Sequence, residues 1–579
     1  MISHKHITKI IGVMMAAAVA LCFWMMVFSQ EVVETLGGVQ VPMAYEEALF
    51  DVQELMQIDI QMAQDQWEEM LKNAMAEEYY SCDVVINDAK VCNVGIRPKG
   101  NTSLSAIAMD PDTDRYSFKL EFDHYVEGQT CLGLDKLILN NNYADATNMK
   151  EALVYDMYQY LGVDASLYNY AKISVNGEYW GVYLALEAVE DSFLMRNYGT
   201  EDGSLYKPDN MQMGGGAKSG GFGGQPPQPR EKEAPDGNGQ PPQGMDFLDG
   251  EMPQFGGGMP FGDDFDFAKD MPSDGNSFPN FGEGQDFEKA DFPGGGKHDF
   301  TGGFSMGGGG GANLSYTDDE LSGCSDIWEG EVTDTGKADH KRVVMALKNI
   351  SEGTELETYL DVNNVLKYMA VHTFSANMDS LSGNMAHNYY LYEANGMLNI
   401  LPWDYNLAFG GMNMGAENSA SDVINDAVDT PFDGTKFFDA LLENEEYLSR
   451  YHKYLQQLTQ EYVFGGRFEE VYQRIRGQID TLVETDPTAF YSYEEYEAGA
   501  EMLYQTVMLR AESIEGQIDG TIPASDEGQR ADVSNLVDAS NIDISVMGVM
   551  DMGGGGMQKG PNARKEHQAD GGDVKNHMR

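Results

Sequence analysis

Between residues 377 and 406 the chain sets acidic and amide side chains at a spacing suited to work on phosphate. The run is Asn377-Met-Asp-Ser-Leu-Ser-Gly-Asn384, then His387-Asn-Tyr-Tyr-Leu-Tyr392, an Asn395-Gly396 pair, and Leu401-Pro-Trp-Asp-Tyr-Asn406. Asn-Gly between two alternating apolar runs predicts a β-hairpin with a two-residue loop, which fixes the register. In that register His387 faces Asp404 and Asn388 faces Trp403, with Cβ atoms ~5 Å apart. Asp379 and Asn384 lie on the loop entering the hairpin, close to where Asp404 leaves it. Two carboxylates and an amide oxygen at one strand end form a hard, oxygen-rich site. Such a site holds Mg²⁺ against phosphate oxygens and leaves one carboxylate free to orient a hydroxyl. The chemistry indicated is phosphoryl transfer.

Each residue also has a plainer reading. Asp379, Asn384 and Asp404 taken singly are what a turn or a strand end would use; their order and register make the site. His387 either orients Asp404 across the ladder or fills a cross-strand position, Asn388 reaches metal or backbone, and Trp403, an aromatic after proline beside a hairpin, packs into the core.

Elements able to position these groups are legible on both sides. A helical period runs from about Val41 to Ala76 through Leu49, Val52, Leu55, Met56, Trp67 and Met70. Strand patterns follow over Cys82–Ile86, Val91–Arg97, Arg115–Asp123 and Lys136–Leu139. A helix from Met149 to Leu161 comes next, with Asn148 and Glu151 as a capping pair and Gly162 as its stop. A second Asn-Gly turn, at Asn176-Gly177, closes a β-rich segment assigned to residues 31–210. Between Met211 and Gly311 lie 28 of the 65 glycines and 11 of the 20 prolines, so 211–312 is expected to be a disordered insertion. Residues 313–535 read as helical, with Leu366, Met369, Ala370 and Thr373 on one face leading into the Asp379 loop. Amphipathic patterns recur near 437–463, 467–485 and 493–517. Residues 536–579, rich in Gly and Met and then basic, are expected to be a disordered tail. The fold class is therefore α+β, a β-rich part with one main helix joined to an α-rich part.

Candidate cations stand out against a strongly acidic chain. Lys119 is central in a strand whose neighbours Phe118, Leu120 and Phe122 alternate, so it can project over a nucleotide or stand exposed; Glu151 or Glu187 are its candidate ion-pair partners. Arg97, Lys99 and the turn Gly100-Asn-Thr-Ser103, with Asn101 and Ser103, form a local cationic, amide- and hydroxyl-rich loop that suits phosphate contact. Lys207 is a further cation.

The wording of these segments resembles the CotH family of secreted, atypical protein kinases. The resemblance rests on Asp379 with Asn384 five positions later, His387-Asn-Tyr-Tyr-Leu-Tyr and Pro402-Trp-Asp-Tyr-Asn-Leu-Ala-Phe-Gly410. It extends upstream to Val94-Gly-Ile-Arg-Pro-Lys-Gly-Asn-Thr-Ser103, Tyr116–Phe122, Leu137-Ile-Leu-Asn-Asn-Asn142, Gly181–Glu187 and Leu205-Tyr-Lys207. It covers roughly residues 80 to 210 and 313 to 415. The resemblance implies a kinase-like two-lobed fold, ATP with Mg²⁺ or Mn²⁺, and phosphorylation of Ser or Thr on extracytoplasmic proteins. By motif, Asp379 is then the catalytic base, Asp404 a metal ligand and Asn384 a second one. The chain departs from the family pattern at Asn406, where many relatives place a second acid, and in the long insertion.

Composition narrows the partners. A formal charge of −57 argues against nucleic acid and anionic membrane surfaces, and requires any nucleotide site to be locally cationic. Lys5 and Lys9 precede an apolar run from Ile10 to Phe28, which reads as an uncleaved N-terminal anchor or signal placing the rest outside the cytoplasm. Residues 1–30 are assigned to that segment, and Cys22 within it lacks the small residue a lipoprotein cysteine needs. Cys82 and Cys92 bracket a hairpin and can pair only if their side chains share a face, so pairing stays open; without Cys-x-x-Cys spacing, zinc is not expected. A catalytically silent cell-surface or envelope-assembly scaffold, and a metal-dependent phosphohydrolase or nucleotidyl transferase, are the rival functions.

Overall fold

The computed structural model describes residues 41–208, 310–383, 386–413, 419–432, 434–551 and 556–558. The N-terminal apolar run and the expected insertion up to residue 309 lie outside them. Among the described residues no helix is long and apolar enough to cross a membrane.

The architecture is α+β. Seven strands, β1 Met56–Gln61, β2 Tyr80–Ile86, β3 Ala89–Lys99, β4 Ser117–Glu121, β5 Lys136–Asn140, β6 Tyr168–Val175 and β7 Glu178–Glu187, close into a barrel of order β1-β2-β3-β4-β5-β7-β6. Every pairing is antiparallel except β1 with β6, which is parallel from Met56↔Ala171 to Ile60↔Val175. Closure removes the exposed edges that an open sheet would offer for aggregation. It also corrects the reading of residues 41–76 as helical throughout. Helices do form at Ala44–Leu49 and Gln64–Lys72, but Met-Gln-Ile-Asp-Ile-Gln between them alternates with period two. Its Met56, Ile58 and Ile60 are buried, so this strand, hidden inside a helical-looking stripe, is the one that closes the barrel.

The barrel interior is filled by Ile60, Val84, Ile96, Phe118, Leu120, Leu137, Leu139, Ile173, Tyr183 and Ala185. On β5 and β7 the alternate residues Ile138, Val182, Leu184 and Leu186 face outward into a second core with the helix Lys150–Leu161 and the helical half of the chain. Those strands are buried on both faces, which is why they read as continuous apolar runs. The Lys150–Leu161 helix ends, as expected, at left-handed Gly162 (φ 68°). Its start is different: no side chain caps it, and Glu151 is used elsewhere.

The Asn395-Gly396 hairpin forms with both turn residues at positive φ. Strands β9 Tyr389–Ala394 and β10 Met397–Pro402 pair in the predicted register, from Met397↔Ala394 to Pro402↔Tyr389. A short strand β8, Ser204–Tyr206, adds to the free edge of β9 with Tyr206 opposite Leu391. The helical half contains Val362–Ser375, buried nearly all round, and Glu445–Gln456, Arg467–Glu484 and Tyr493–Ile518. Arg115, just before β4, ties barrel to helices: its guanidinium donates to both oxygens of Asp486 (2.8 and 3.0 Å), with both side chains 2 % exposed. Part of the stretch read as an unstructured tail is ordered. Ile542, Ile544, Met547, Val549 and Met550 bury their side chains, and Lys150 Nζ donates to the Gly548 carbonyl at 2.9 Å; apolar residues spaced among the glycines supply that burial. Cys82, Cys92, Cys131 and Cys324 are free thiols, Cys82 buried and Cys92 exposed across a bulge in the hairpin.

Candidate active site

The Val362–Ser375 helix stops where Ala376 turns left-handed (φ 44°), and the chain enters the Asp379 loop at once. Asn377, 1 % exposed, joins the two acidic segments. Its Oδ1 accepts the Asp379 N–H (3.2 Å) and its Nδ2 donates to the Asp404 carbonyl (3.4 Å). The Asp379 carboxylate is held at both oxygens, Oδ1 by His387 Nε2 at 2.8 Å and Oδ2 by Asn388 Nδ2 at 3.0 Å; Asn388 also donates to the Asp379 carbonyl (2.9 Å).

This differs from the expected pairing of His387 with Asp404. The β9–β10 ladder ends at Tyr389↔Pro402, and beyond it Ala386, Asn388 and Asp404 all take positive φ (47°, 58° and 62°). The left-handed backbone turns both chains out of register, so His387 reaches Asp379. Positive φ at non-glycine residues is rare and gathers where function imposes it.

On the Asp404 side the barrel rim approaches. Glu151, in the first turn of the Lys150–Leu161 helix and 2 % exposed, accepts the Tyr405 N–H at Oε1 (3.3 Å) and Asn140 Nδ2 at Oε2 (2.8 Å). Burial first, and then the neighbouring Asp404 carboxylate, raise the Glu151 carboxyl well above the usual carboxylate range. Asn140 Oδ1 in turn takes Lys99 Nζ at 3.1 Å. Lys99 Nζ lies 5.6 Å from the centre of the Trp403 ring. Lys207 Nζ lies 5.4 Å from that ring and 5.6 Å from Tyr390. Lys207 arrives there because β8 docks on β9. Asn406 Nδ2 donates to the Tyr143 carbonyl at 3.0 Å.

Lys119 has a partner other than the two expected. Glu190, just before the Asp191–Tyr198 helix, accepts Lys119 at 2.5 Å and also Lys136. Burial works to raise the Glu190 carboxyl, but the two ammonium groups outweigh it and hold it down at about 2. Glu187 instead binds Arg196 and the Tyr45 hydroxyl. Arg97, opposite Lys119 in the β3–β4 register, pairs with Glu77 and lies over Tyr79 at 5.4 Å. Asn101 precedes the helix Thr102–Met109 and is exposed. Ser103 Oγ closes over Gly100, at whose φ of 130° a Cβ would meet it at 2.9 Å. Asp379, Asp404, Lys99 and Lys207 are thus linked through Asn377, Asn140 and Trp403, Arg97 is committed to Glu77, and Asn384 lies outside the described residues.

Among the described residues no three His, Cys, Asp or Glu side chains converge as metal ligands. A cation shared with phosphate needs only one or two carboxylates. Asp404, the residue after the Trp403 ring that Lys99 and Lys207 face, supplies such a carboxylate. Sequence reasoning missed Asn377, Asn140, Glu190 and Lys136. The run of asparagines at the end of β5, beginning with Asn140, was the one visible signal.

A family model described as CotH kinase protein matches residues 96–243 and 303–514, which takes in Lys99, Lys119, Lys207, Asp379 and Asp404. No curated protein matches the chain.

Proposed function

The chain belongs to the CotH kinase family, and on that premise we propose that it is an extracytoplasmic protein kinase that transfers the γ-phosphoryl group of ATP to Ser or Thr hydroxyls of secreted or surface proteins. In this reading the barrel and the Lys150–Leu161 helix form the nucleotide lobe of a two-lobed, kinase-like fold, and the helices after residue 313 form the other. With Lys5 and Lys9 before the apolar run, both lobes would lie outside the cytoplasm, held by the N-terminal segment or released from it.

The observation that carries the proposal is Asn377, whose one amide bonds the backbones of both acidic segments. Phosphoryl transfer is mostly positioning and charge stabilisation, so a rigid tie between the base and the metal side is what the reaction needs. When bound, ATP would supply the phosphoryl donor and its Mg²⁺ or Mn²⁺ would offset the negative charge on the phosphate oxygens. Asp404, with Asn384, would hold the cation. Lys99 and Lys207 would contact phosphate oxygens from beside Trp403, and Lys119, paired with Glu190, would add a further positive charge. Asn101 and Ser103 contribute an amide and a hydroxyl at the loop that follows Lys99, while Arg97 braces that loop through Glu77. Asp379 orients the acceptor hydroxyl and takes its proton at a carboxylate oxygen. Each of those oxygens accepts one hydrogen bond, from His387 or Asn388, and keeps a lone pair for the hydroxyl.

The test is incubation of the full-length protein with γ-labelled ATP and Mg²⁺ or Mn²⁺, beside Asp379→Ala and Asp404→Ala, following protein-bound label, free phosphate and AMP. Label on protein that both substitutions abolish supports the kinase. Absence of ATP binding favours a scaffold, and protein-bound AMP indicates nucleotidyl transfer instead.

A further inference from the structure

Beneath the two acidic loops lies a buried imidazole whose two nitrogens point to different loops. His372, 2 % exposed on the Val362–Ser375 helix, has Nε2 2.8 Å from Ser382 Oγ and 3.3 Å from Ser380 Oγ. Its Nδ1 is 3.0 Å from the Tyr405 hydroxyl. Both serines lie on the Asp379 loop and donate to the Asn377 carbonyl, at 2.8 and 3.2 Å, and they are 2.9 Å from each other. Tyr405 follows Asp404 and shares a 2.5 Å hydrogen bond with the Tyr158 hydroxyl. The ring packs nearly parallel to Tyr368 and Phe432, with centroids 5.6 and 5.5 Å away. Burial drives its pKa down to about 3, so it works as a neutral ring with one N–H and one lone pair. Because both serine hydroxyls give their single proton to the Asn377 carbonyl, Nε2 carries the N–H and Nδ1 accepts from the Tyr405 hydroxyl.

We propose that His372 is a positioning residue for phosphoryl transfer: through Nε2 it sets the Asp379 loop, through Nδ1 it sets the Asp404 segment, and the rigid ring fixes the spacing between the two. The proposal rests on the kinase reading for its kinetic consequence. Its structural half, that one ring governs two loops through separable arms, stands on the hydrogen bonds alone.

A glutamine places its amide near where Nε2 lies and an asparagine near where Nδ1 lies, so each of these substitutions keeps one arm. His372→Asn is expected to lose the serine arm, with Ser382→Ala as a milder equivalent. Amide hydrogen exchange then quickens over residues 377–383, and kcat falls about tenfold with KM for ATP unchanged, as one net hydrogen bond of about 1.4 kcal/mol implies. His372→Gln, like the milder Tyr405→Phe, is expected to keep that protection and instead raise KM for ATP about tenfold. Should the histidine variants fail to fold, Ser382→Ala and Tyr405→Phe decide the matter. Identical behaviour of the two arms, or wild-type exchange and kinetics in Ser382→Ala and Tyr405→Phe, overturns the proposal. If the wild-type protein transfers no phosphate, the kinase reading fails, while the exchange pattern still decides whether His372 governs two loops.

Discussion

Replacing Asn377 by Asp changes one terminal atom and little else in shape, so it isolates the tie between the two acidic segments. Oδ1 keeps the Asp379 N–H, but the atom that donated to the Asp404 carbonyl at 3.4 Å becomes an acceptor facing another acceptor. The lost bond is worth about 0.5–1.5 kcal/mol. The larger effect is a carboxyl at a position only 1 % exposed, beside Asp379 and close to Asp404, where burial and like charge raise its folded pKa above the unfolded value of about 3.9. The folded state then binds more protons than the unfolded one between those two values, so stability falls as pH rises through that window. The slope is about 1.4 kcal/mol per pH unit up to the folded pKa, and the deficit is constant beyond it. Protonated, the new carboxyl can donate to the Asp404 carbonyl and restore the tie. Denaturant unfolding and phosphoryl transfer, each measured from about pH 5 to about pH 8 beside wild type, should show a stability gap that widens with pH and at least a tenfold slower transfer at the upper end. A small, pH-independent stability gap with wild-type transfer rates would refute the argument that Asn377 couples the two segments.

Other perturbations follow from the same geometry. Lys99→Met removes a cation at the barrel rim and should raise KM for ATP about tenfold or more with a smaller effect on kcat, as loss of a charged hydrogen bond of about 1.5–3 kcal/mol implies; a change confined to kcat would contradict its assignment. Arg115→Met strands the Asp486 carboxylate in a site 2 % exposed and should cost about 3–5 kcal/mol in denaturant unfolding; a cost under about 1 kcal/mol would mean water reaches the pair. His372, depressed to about 3 when folded against about 6.5 unfolded, leaves the unfolded state binding the extra proton between those values. Wild type should therefore lose about 1.4 kcal/mol per pH unit relative to His372→Gln as pH falls through that interval, and parallel stability curves would show that the ring titrates when folded.

The hairpin could be read from the sequence because an Asn-Gly turn fixes register locally: β9 and β10 pair as expected. What the pattern could not supply was where the ladder ends. Left-handed backbone at Asn388 and Asp404 redirects His387 to Asp379; asparagine and aspartate favour that conformation, but many such residues do not adopt it, so their presence does not say where the ladder ends. The Glu151 capping pair failed for a related reason, since a glutamate in a first helical turn serves a cap or a distant partner with equal ease, and Asn140 and the Tyr405 N–H come to it only through tertiary structure. Strand β1 was hidden because Leu49, Val52, Leu55 and Met56 also satisfy a helical stripe, and its parallel pairing with β6 joins segments more than 100 residues apart. Lys207 was recognised as a cation, but its arrival over Trp403 depends on the three-residue strand β8, too short to announce itself by alternation.

The central claim is that the Asp379 and Asp404 segments form one site for a metal-bound nucleotide. It is tested most directly by anomalous diffraction from crystals of the protein grown with Mn²⁺ and a non-hydrolysable ATP analogue. The account predicts Mn²⁺ on an Asp404 carboxylate oxygen, phosphate oxygens on Lys99 and Lys207, and the Asp379 carboxylate facing the far side of the γ-phosphate. A nucleotide bound elsewhere, or Mn²⁺ ordered away from Asp404, would contradict it.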